Sequence, residues 1–294
     1  MLAGFSDARI EVGDGVRIRA RAAGDGPPIL LLHGYPETHV CWHAVAPRLV
    51  AAGFRVVVTD LRGYGDSSKP PSTPDHAPYS KRAMAADQVA VMAALGHDRF
   101  AVAGHDRGGR VVHRMALDHA AAVTRAAVLD IAPTATMYGR TDMAFACAYY
   151  HWFFLIQPAP LPERLIGADP AFYLRSKLSA WSGGENAFFA PEAVAEYLRC
   201  FSDPAAIAAS CEDYRAAASI DLDHDAADAG HRIEAPLLVL WGARGVVGRS
   251  YDVLATWRDK AAEVQGQALP TGHYLPEEAP AETAALLAEF FSRS

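Results

Sequence analysis

The sequence lacks several features that mark whole classes of protein. Its 294 residues contain no run of roughly 18 apolar residues, so no membrane-spanning helix is expected. Residues 1–14 include acidic side chains and no apolar segment of the kind a secretory signal needs, so we expect no such signal and a cytoplasmic location. The formal net charge is -7, and without a basic surplus the chain is not expected to bind nucleic acid.

Cysteine is also scarce. The four cysteines are scattered, with no pair at metal-ligand spacing: Cys41, Cys147, Cys200 and Cys211. We expect buried or half-buried thiols in a reducing compartment, no metal site and no cofactor. No internal repeat is present, while the 51% hydrophobic content predicts a packed globular core.

Apolar, β-branched runs alternate with segments of helical period along most of the chain. This alternation is typical of an α/β fold in which helices flank a mostly parallel sheet. An alternating run at 17–22 predicts an early antiparallel strand, and 264–269 is another apolar stretch. Further strands are predicted at 28–33, 54–59, 100–103, 126–129 and 236–241, and helices at 81–95, 110–119 and 280–291.

The pattern changes between residues 133 and 232. This segment is rich in aromatic residues and proline and contains no convincing strand, so it predicts a helical lid inserted after the strand at 126–129. We therefore divide the chain into a first core part at 1–133, a helical cap at 134–232 and a second core part at 233–294. A lid there would cover the strand ends, where such sheets bind ligands.

The strongest chemical signal is Gly104-His105-Asp106-Arg107-Gly108, which joins a strand to a helix. Glycines around a central residue in this context indicate a nucleophile elbow, and the central residue here is Asp106. No Gly-x-Ser-x-Gly or Gly-x-Cys-x-Gly occurs, which argues against esterase, lipase and peptidase chemistry. A carboxylate nucleophile attacks saturated carbon, so the pattern favours halide displacement or epoxide opening. The alternative is an aspartate that only caps the helix.

A general base and an acid must accompany this nucleophile. His273 lies before the last helix, where the chain order of such enzymes places the base. The loop at 242–250 is the commonest place for the acid, but it contains no carboxylate. Asp252 lies too far beyond that loop in the chain to be a good candidate. Asp130, at the tip of the preceding strand, is our choice, with a cap for the turn into the lid as its alternative role.

Two arginines and one loop complete the candidate site. Arg107 and Arg110 are three residues apart at the start of a helix and can reach one side of the elbow. They could merely pair with Asp106, but we favour a grip on a carboxylate of the substrate. The backbone N–H groups of Tyr35 and Arg107 are candidates for an oxyanion hole, while His33 is expected to be structural.

In these residues and in several longer motifs, the sequence resembles the fluoroacetate dehalogenases, a branch of the α/β-hydrolases. The resemblance covers nearly the whole chain, and its most specific pieces are Gly-His-Asp-Arg-Gly-Gly-Arg at 104–110, Leu-Asp-Ile-Ala-Pro-Thr at 129–134, Tyr-His-Trp at 150–152, Gln-Pro-Ala-Pro at 157–160 and Cys-Glu-Asp-Tyr-Arg-Ala at 211–216. It implies the α/β-hydrolase fold with an inserted lid, hydrolytic dehalogenation of a small anionic 2-haloacid, and a homodimer.

The same resemblance assigns the residues of the site. It makes Asp106 the nucleophile, His273 the base and Asp130 the acid. Arg107 and Arg110 match the pair that holds the substrate carboxylate.

His151, Trp152 and Tyr214 match three donors that receive the halide. Imidazole, indole and phenol each supply one hydrogen-bond donor, and fluoride needs such donors to replace its hydration. Without the resemblance, aromatic lid residues are more often packing. Tyr35-Pro36-Glu37 departs from the Phe-Pro-Gln that is frequent in these dehalogenases, and this leaves the leaving-group preference open.

Two other functions remain possible at this point. An epoxide hydrolase would share the Asp–His–acid machinery, and Tyr214 with Tyr149 or Tyr150 could supply its lid tyrosines. Arg107 and Arg110 would then have no function toward a neutral epoxide. A non-catalytic ligand-binding protein on the same scaffold typically loses a member of the triad, and this sequence retains all three.

Overall fold

A computed structural model describes residues 1–182 and 187–293 of the chain. Its sheet contains eight strands: β1 (Ser6–Gly13), β2 (Val16–Ala23), β3 (Pro28–Leu32), β4 (Arg55–Thr59), β5 (Phe100–His105), β6 (Val123–Leu129), β7 (Leu237–Gly242) and β8 (Val264–Leu269). Their order is β1-β2-β4-β3-β5-β6-β7-β8. The β1–β2 and β2–β4 pairs are antiparallel, and the remaining pairs are parallel. The predicted mostly parallel sheet is therefore confirmed.

Helices cover the sheet and bridge its strands. They are α1 (Ala46–Ala51), α2 (Lys81–Ala94), α3 (Arg107–Asp118), α4 (Thr134–Gly139), α5 (Met143–Ala148), α6 (His151–Phe154), α7 (Leu161–Ala168), α8 (Pro170–Trp181), α9 (Pro191–Phe201), α10 (Pro204–Ala217), α11 (Ile220–Ala227), α12 (Val246–Ser250), α13 (Val253–Arg258), α14 (Leu275–Glu278) and α15 (Pro280–Phe291). Short 3-10 turns occupy His39–Trp42 and Ala77–Tyr79.

The central strands are buried because helices lie on both faces of a parallel sheet. Every residue of β5 is buried, and so are four of the five residues of β3. Such strands read as continuous apolar runs, which is why the sequence identified them. Because β3, β5, β6, β7 and β8 run parallel, their carboxyl ends share one edge of the sheet. The loops that carry the candidate residues all leave from that edge.

Helices α4 to α11 all fall between β6 and β7 in the chain. Between residues 134 and 232, no strand occurs in the part that the structure describes. These helices, here called the cap, supply aromatic side chains to the strand-end edge. The division into core and cap at residues 133 and 232 remains a prediction. In the described ranges, no helix is long and apolar enough to cross a membrane.

Two local expectations differ from the structure. The sequence reasoning missed β1, whose residues alternate between exposed and half-buried because one face lies open at the sheet edge. Cys147 was expected to be buried or half-buried, but its thiol is exposed. The reason is local, since α5 is a short amphipathic helix that buries Phe145 and turns Cys147 outward.

Candidate active site

Asp106 lies at a sharp turn between β5 and α3. Its φ of 45° is in the left-handed region, which a non-glycine residue adopts only where the surrounding structure enforces it. The flanking glycines explain how the turn closes. A Cβ added to Gly104 would lie 2.3 Å from the carbonyl carbon of Gly108, and one added to Gly108 would lie 2.5 Å from the Leu32 oxygen. The geometry matches the predicted elbow.

His273 stands between the other two candidate members of the triad. Its Nε2 is 3.9 Å from Oδ2 of Asp106, and its Nδ1 is 2.6 Å from Oδ2 of Asp130. The second oxygen of Asp130 accepts from the backbone N–H of Gly242 at 2.9 Å. Asp252, the alternative acid, instead caps the N-terminus of α13. The structure thus brings Asp106, Asp130 and His273 together and leaves Asp252 elsewhere.

The Asp106 carboxyl is buried, yet the charges around it favour its ionised form. Burial raises its pKa, but electrostatic interactions with His273, Arg110 and His105 outweigh that effect and lower the pKa to about 2. The backbone N–H of Tyr35 donates to Oδ1 at 3.0 Å. One carboxylate oxygen is therefore engaged by the predicted oxyanion loop, while the other faces the imidazole.

A second histidine, His105, ties together the loops around the nucleophile. Its Nδ1 is 2.8 Å from Oε2 of Glu37, and its Nε2 is 2.8 Å from the backbone oxygen of His273. Burial lowers the pKa of His105, but the Glu37 carboxylate raises it to about 9. Glu37 also accepts from the backbone N–H of Gly34 at 3.3 Å. In the sequence, Glu37 is distinguished only as a departure from the Phe-Pro-Gln frequent in fluoroacetate dehalogenases, and no pattern assigns a role to His105.

Arg107 is fixed by a carboxylate that the sequence analysis missed. Its Nε and Nη2 donate to the two oxygens of Asp213 at 2.9 and 2.7 Å, and Lys81 forms a short ion pair with the same group. All three side chains are buried. The third guanidinium nitrogen, Nη1, is buried and has no hydrogen-bond partner among the residues that the structure describes. The only signal for Asp213 was its place beside Tyr214 in the motif at 211–216.

Arg110 has a different set of free donors. Its Nη1 donates to the Ala132 oxygen at 3.1 Å and to Oγ1 of Thr134 at 2.9 Å. Nη2 contacts the sulfur of Met137 at 3.2 Å, and Nε is buried with no partner. The Nε–Nη2 edge is thus available to an acceptor with two oxygens. Among the described residues, neither arginine forms an ion pair with Asp106, and Arg107 is paired with Asp213 instead.

The three candidate halide donors lie together in the cap, beside the arginines. His151 and Trp152 start α6, and their ring centroids are 5.5 and 6.3 Å from that of Tyr214 on α10. Nδ1 of His151 is buried and has no hydrogen-bond partner in the described part of the chain, and burial holds the pKa of this imidazole well below its usual range. The Arg107 guanidinium is 4.1 Å from the Tyr214 ring, and that of Arg110 is 4.7 Å from the Trp152 ring. The candidate donors and the two arginines are therefore in contact with one another.

Comparisons with known proteins agree with this architecture. A family model for the alpha/beta hydrolase fold matches residues 27–280. A fluoroacetate dehalogenase from Burkholderia sp is 46% identical over 99% of this chain and 95% of its own length. A soluble epoxide hydrolase from Corynebacterium sp. is 34% identical over 91% of each protein. The crystal structure of a putative alpha/beta hydrolase from Nostoc sp covers all of both chains at 58% identity, with a TM-score of 0.97.

Proposed function

Because the chain belongs to the α/β-hydrolase family, and within it to the haloacetate dehalogenases, we propose that it hydrolyses a small 2-haloacid such as fluoroacetate to the 2-hydroxy acid and halide. It is an enzyme of the hydrolase class that acts on carbon–halide bonds. The observation that carries the choice of substrate is the pair of buried arginines beside Asp106, which keep unpaired donors. Buried guanidinium donors without acceptors are costly, and a substrate carboxylate would satisfy them.

The first step forms an ester on the enzyme. Oδ2 of Asp106 attacks the carbon that carries the halogen, and the carbon–halogen bond breaks as the halide leaves with the bonding electrons. A pKa of about 2 keeps this carboxylate ionised at neutral pH. The Nε–Nη2 edge of Arg110 and Nη1 of Arg107 hold the substrate carboxylate. Donors from His151, Trp152 and Tyr214 receive the halide, which replaces part of its lost hydration.

The second step hydrolyses this ester. A water molecule attacks the carbonyl carbon of the Asp106 ester while His273 takes its proton, and the imidazolium is stabilised by Asp130 at 2.6 Å. Negative charge develops on Oδ1, where the N–H of Tyr35 already donates and where that of Arg107 is proposed to join it. His273 then returns the proton to the departing oxygen of the hydroxy acid, and the regenerated Asp106 carboxyl loses its proton to solvent.

Release of fluoride and chloride from the two haloacetates tests this function. The wild-type protein should release both, and Asp106→Ala should release neither. During a single turnover in oxygen-18 water, the label should enter the Asp106 carboxylate and stay absent from the first glycolate. Label in that glycolate would mean that water attacks the substrate directly, and the nucleophile assignment would be wrong.

Epoxide hydrolysis is the second candidate, because an epoxide hydrolase is 34% identical over most of the chain. It would need two lid tyrosines near the nucleophile. Tyr150 is 46% exposed and lies over Lys177, so only Tyr149 remains to act with Tyr214. A neutral epoxide would also leave the Arg107 and Arg110 donors unpaired. Turnover of a small epoxide with no halide release from haloacetates would favour this candidate. Turnover of either substrate would argue against a non-catalytic binding protein.

We also propose that the protein forms a homodimer. Leu161 and Leu165 on α7 and Phe172 on α8 are 49%, 59% and 72% exposed, so two neighbouring cap helices present large apolar side chains to solvent. Such a patch is typical of an association surface. Light scattering should give twice the chain mass for the wild type and a monomer for Leu165→Glu combined with Phe172→Glu. A wild-type monomer would contradict the proposal.

A further inference from the structure

A cavity adjoins the catalytic histidine, and two of its lining rings, Tyr149 and Trp181, also contact the candidate halide donor His151. It has a volume of about 470 Å³. The aromatic rings of Tyr149 and Trp181 line it, together with His273 and the loop at 243–249. His273 is buried, whereas the arginines of that loop are exposed, so the cavity leads from solvent to the triad.

Two guanidinium groups stand at the outer end of this cavity. Arg244 has a side chain that is 55% exposed, and its Nη2 is 3.9 Å from Oε2 of Glu278. That carboxylate is already engaged by the backbone N–H groups of Gly272 and Tyr274, at 2.6 and 2.9 Å. Arg249 is exposed and has no ion pair or side-chain hydrogen bond within the described residues. The outer end is thus cationic on a protein whose net charge is -7.

The backbone that carries these arginines is fixed next to the triad. Arg244 donates its N–H to the Thr271 oxygen at 2.9 Å, and Gly245 packs so closely that an added Cβ would lie 3.3 Å from the Asp130 carboxylate. Arg249 lies on α12, which follows immediately. This is the loop that carries no carboxylate, although it follows the strand where a triad acid is commonly found. Two cations occupy it instead.

We propose that Arg244 and Arg249 form a cationic rim that draws anionic substrates into this cavity. The proposal rests on the proposed function, because it takes the substrate to be a haloacid carboxylate. A cleft with low-dielectric walls focuses the field of charges at its mouth and raises the local concentration of the opposite ion. The overall negative charge of the protein would otherwise repel the substrate. The carboxylate would then pass to the buried donors of Arg107 and Arg110.

The test compares arginines that differ only in position. Arg249→Gln removes one charge at the rim. Arg99→Gln removes one exposed charge just before β5, at the opposite end of the strands and roughly 20 Å from the elbow. At low ionic strength, kcat/KM for chloroacetate should fall about three- to tenfold in Arg249→Gln, with kcat unchanged. The same kcat/KM should fall further in Arg249→Glu and in the double variant that combines Arg244→Gln with Arg249→Gln. The Arg99 variant should stay within about twofold of wild type.

Salt supplies the second comparison. Screening shortens the Debye length from about 30 Å at 0.01 M to about 3 Å at 1 M, so the difference between wild type and Arg249→Gln should vanish as sodium sulfate is added. A loss that does not change with salt would indicate altered packing. A loss equal to that of Arg99→Gln would indicate an effect of net charge alone. Either result would overturn the proposal.

An optical measurement separates this proposal from the proposed function. Iodide is an anionic quencher of tryptophan fluorescence and acrylamide is a neutral one, and Trp181→Phe identifies the signal of the tryptophan that lines the cavity. Arg249→Gln should lower quenching of that signal by iodide and leave quenching by acrylamide unchanged. If Arg249→Gln lowers iodide quenching but no haloacetate is turned over, the cationic rim is supported and the proposed function is wrong. If haloacetate is turned over and iodide quenching in Arg249→Gln equals that in wild type, only the rim proposal is wrong.

Discussion

Replacing Arg110 with leucine tests how a substrate carboxylate is recognised. Among the described residues, Nε of the wild-type guanidinium has no partner and Nη2 contacts only the weak acceptor Sδ of Met137, so this edge can offer two donors to one carboxylate. Hydrogen bonds to charged groups contribute about 1.5–3 kcal/mol each, and loss of one buried partner of a charge pair costs about 2–5 kcal/mol. Since every 1.4 kcal/mol is about a factor of ten, kcat/KM for chloroacetate should fall roughly 10²- to 10⁴-fold.

The loss of Arg110 also acts on the nucleophile, because its charge lowers the pKa of Asp106. Chloroacetamide separates the two effects, since it undergoes the same displacement but has no carboxylate to bind. A less ionised Asp106 would slow both substrates equally, so the ratio of their kcat/KM values isolates recognition of the charge. Arg110→Lys keeps the charge without the two-donor edge and should fall between wild type and leucine.

Arg114 supplies a matched control, because it lies one turn further along α3, is buried, and pairs with Asp118 and Asp228. Arg114→Leu should lower the melting temperature yet leave the acid-to-amide ratio unchanged. Chloride release below the melting temperature of each variant gives the ratios. If Arg110→Leu keeps the wild-type ratio of kcat/KM for chloroacetate to kcat/KM for chloroacetamide, Arg110 does not recognise the carboxylate and has a structural role.

Three further predictions address the remaining steps. His273→Ala should permit alkylation but block hydrolysis, so mass spectrometry of peptides should find a trapped ester on Asp106 after bromoacetate is added; an unmodified Asp106 would remove His273 from the second step. Asp130→Asn should slow turnover and preserve the fold, while Asp252→Asn should leave kcat near wild type; the reverse result would make Asp252 the acid. Trp152→Phe and Tyr214→Phe each delete one donor and keep a ring, so fluoroacetate turnover should fall about 10²- to 10³-fold and bromoacetate turnover much less, because bromide leaves readily. Equal losses on both substrates would indicate a packing defect.

The parts of the site that the sequence could predict are those determined by short segments. The elbow needs glycines within a few residues of Asp106, and the close approaches at Gly104 and Gly108 show why. Asp130 was identifiable because it follows a buried strand directly, and parallel strands bring such positions to one edge. Local pattern and topology together were sufficient to bring Asp106, Asp130 and His273 to one place.

The partners of these residues were not predictable in the same way. Asp213 and Arg107 are 106 residues apart, and their contact exists only because α10 of the cap folds back over α3. Glu37 and His105 are 68 residues apart and meet between two loops. Nothing in a spacing of that size distinguishes a buried ion pair from two surface charges. For Asp213, the available clue was its place beside Tyr214 in the motif at 211–216.

The contact between Asp213 and the core has a consequence for exchanging caps between related enzymes. A chimera that replaced residues 134–232 with a cap lacking both this carboxylate and that of Asp221, which lies 3.5 Å from Lys81, would leave Lys81 and Arg107 in the interior with no counter-ion. Removing one partner of a buried pair costs about 3–5 kcal/mol, a large share of the stability of an ordinary domain. A transplanted cap must therefore either carry its own carboxylate at this position or be accompanied by changes at Lys81, so the cap of this enzyme is not a freely interchangeable module.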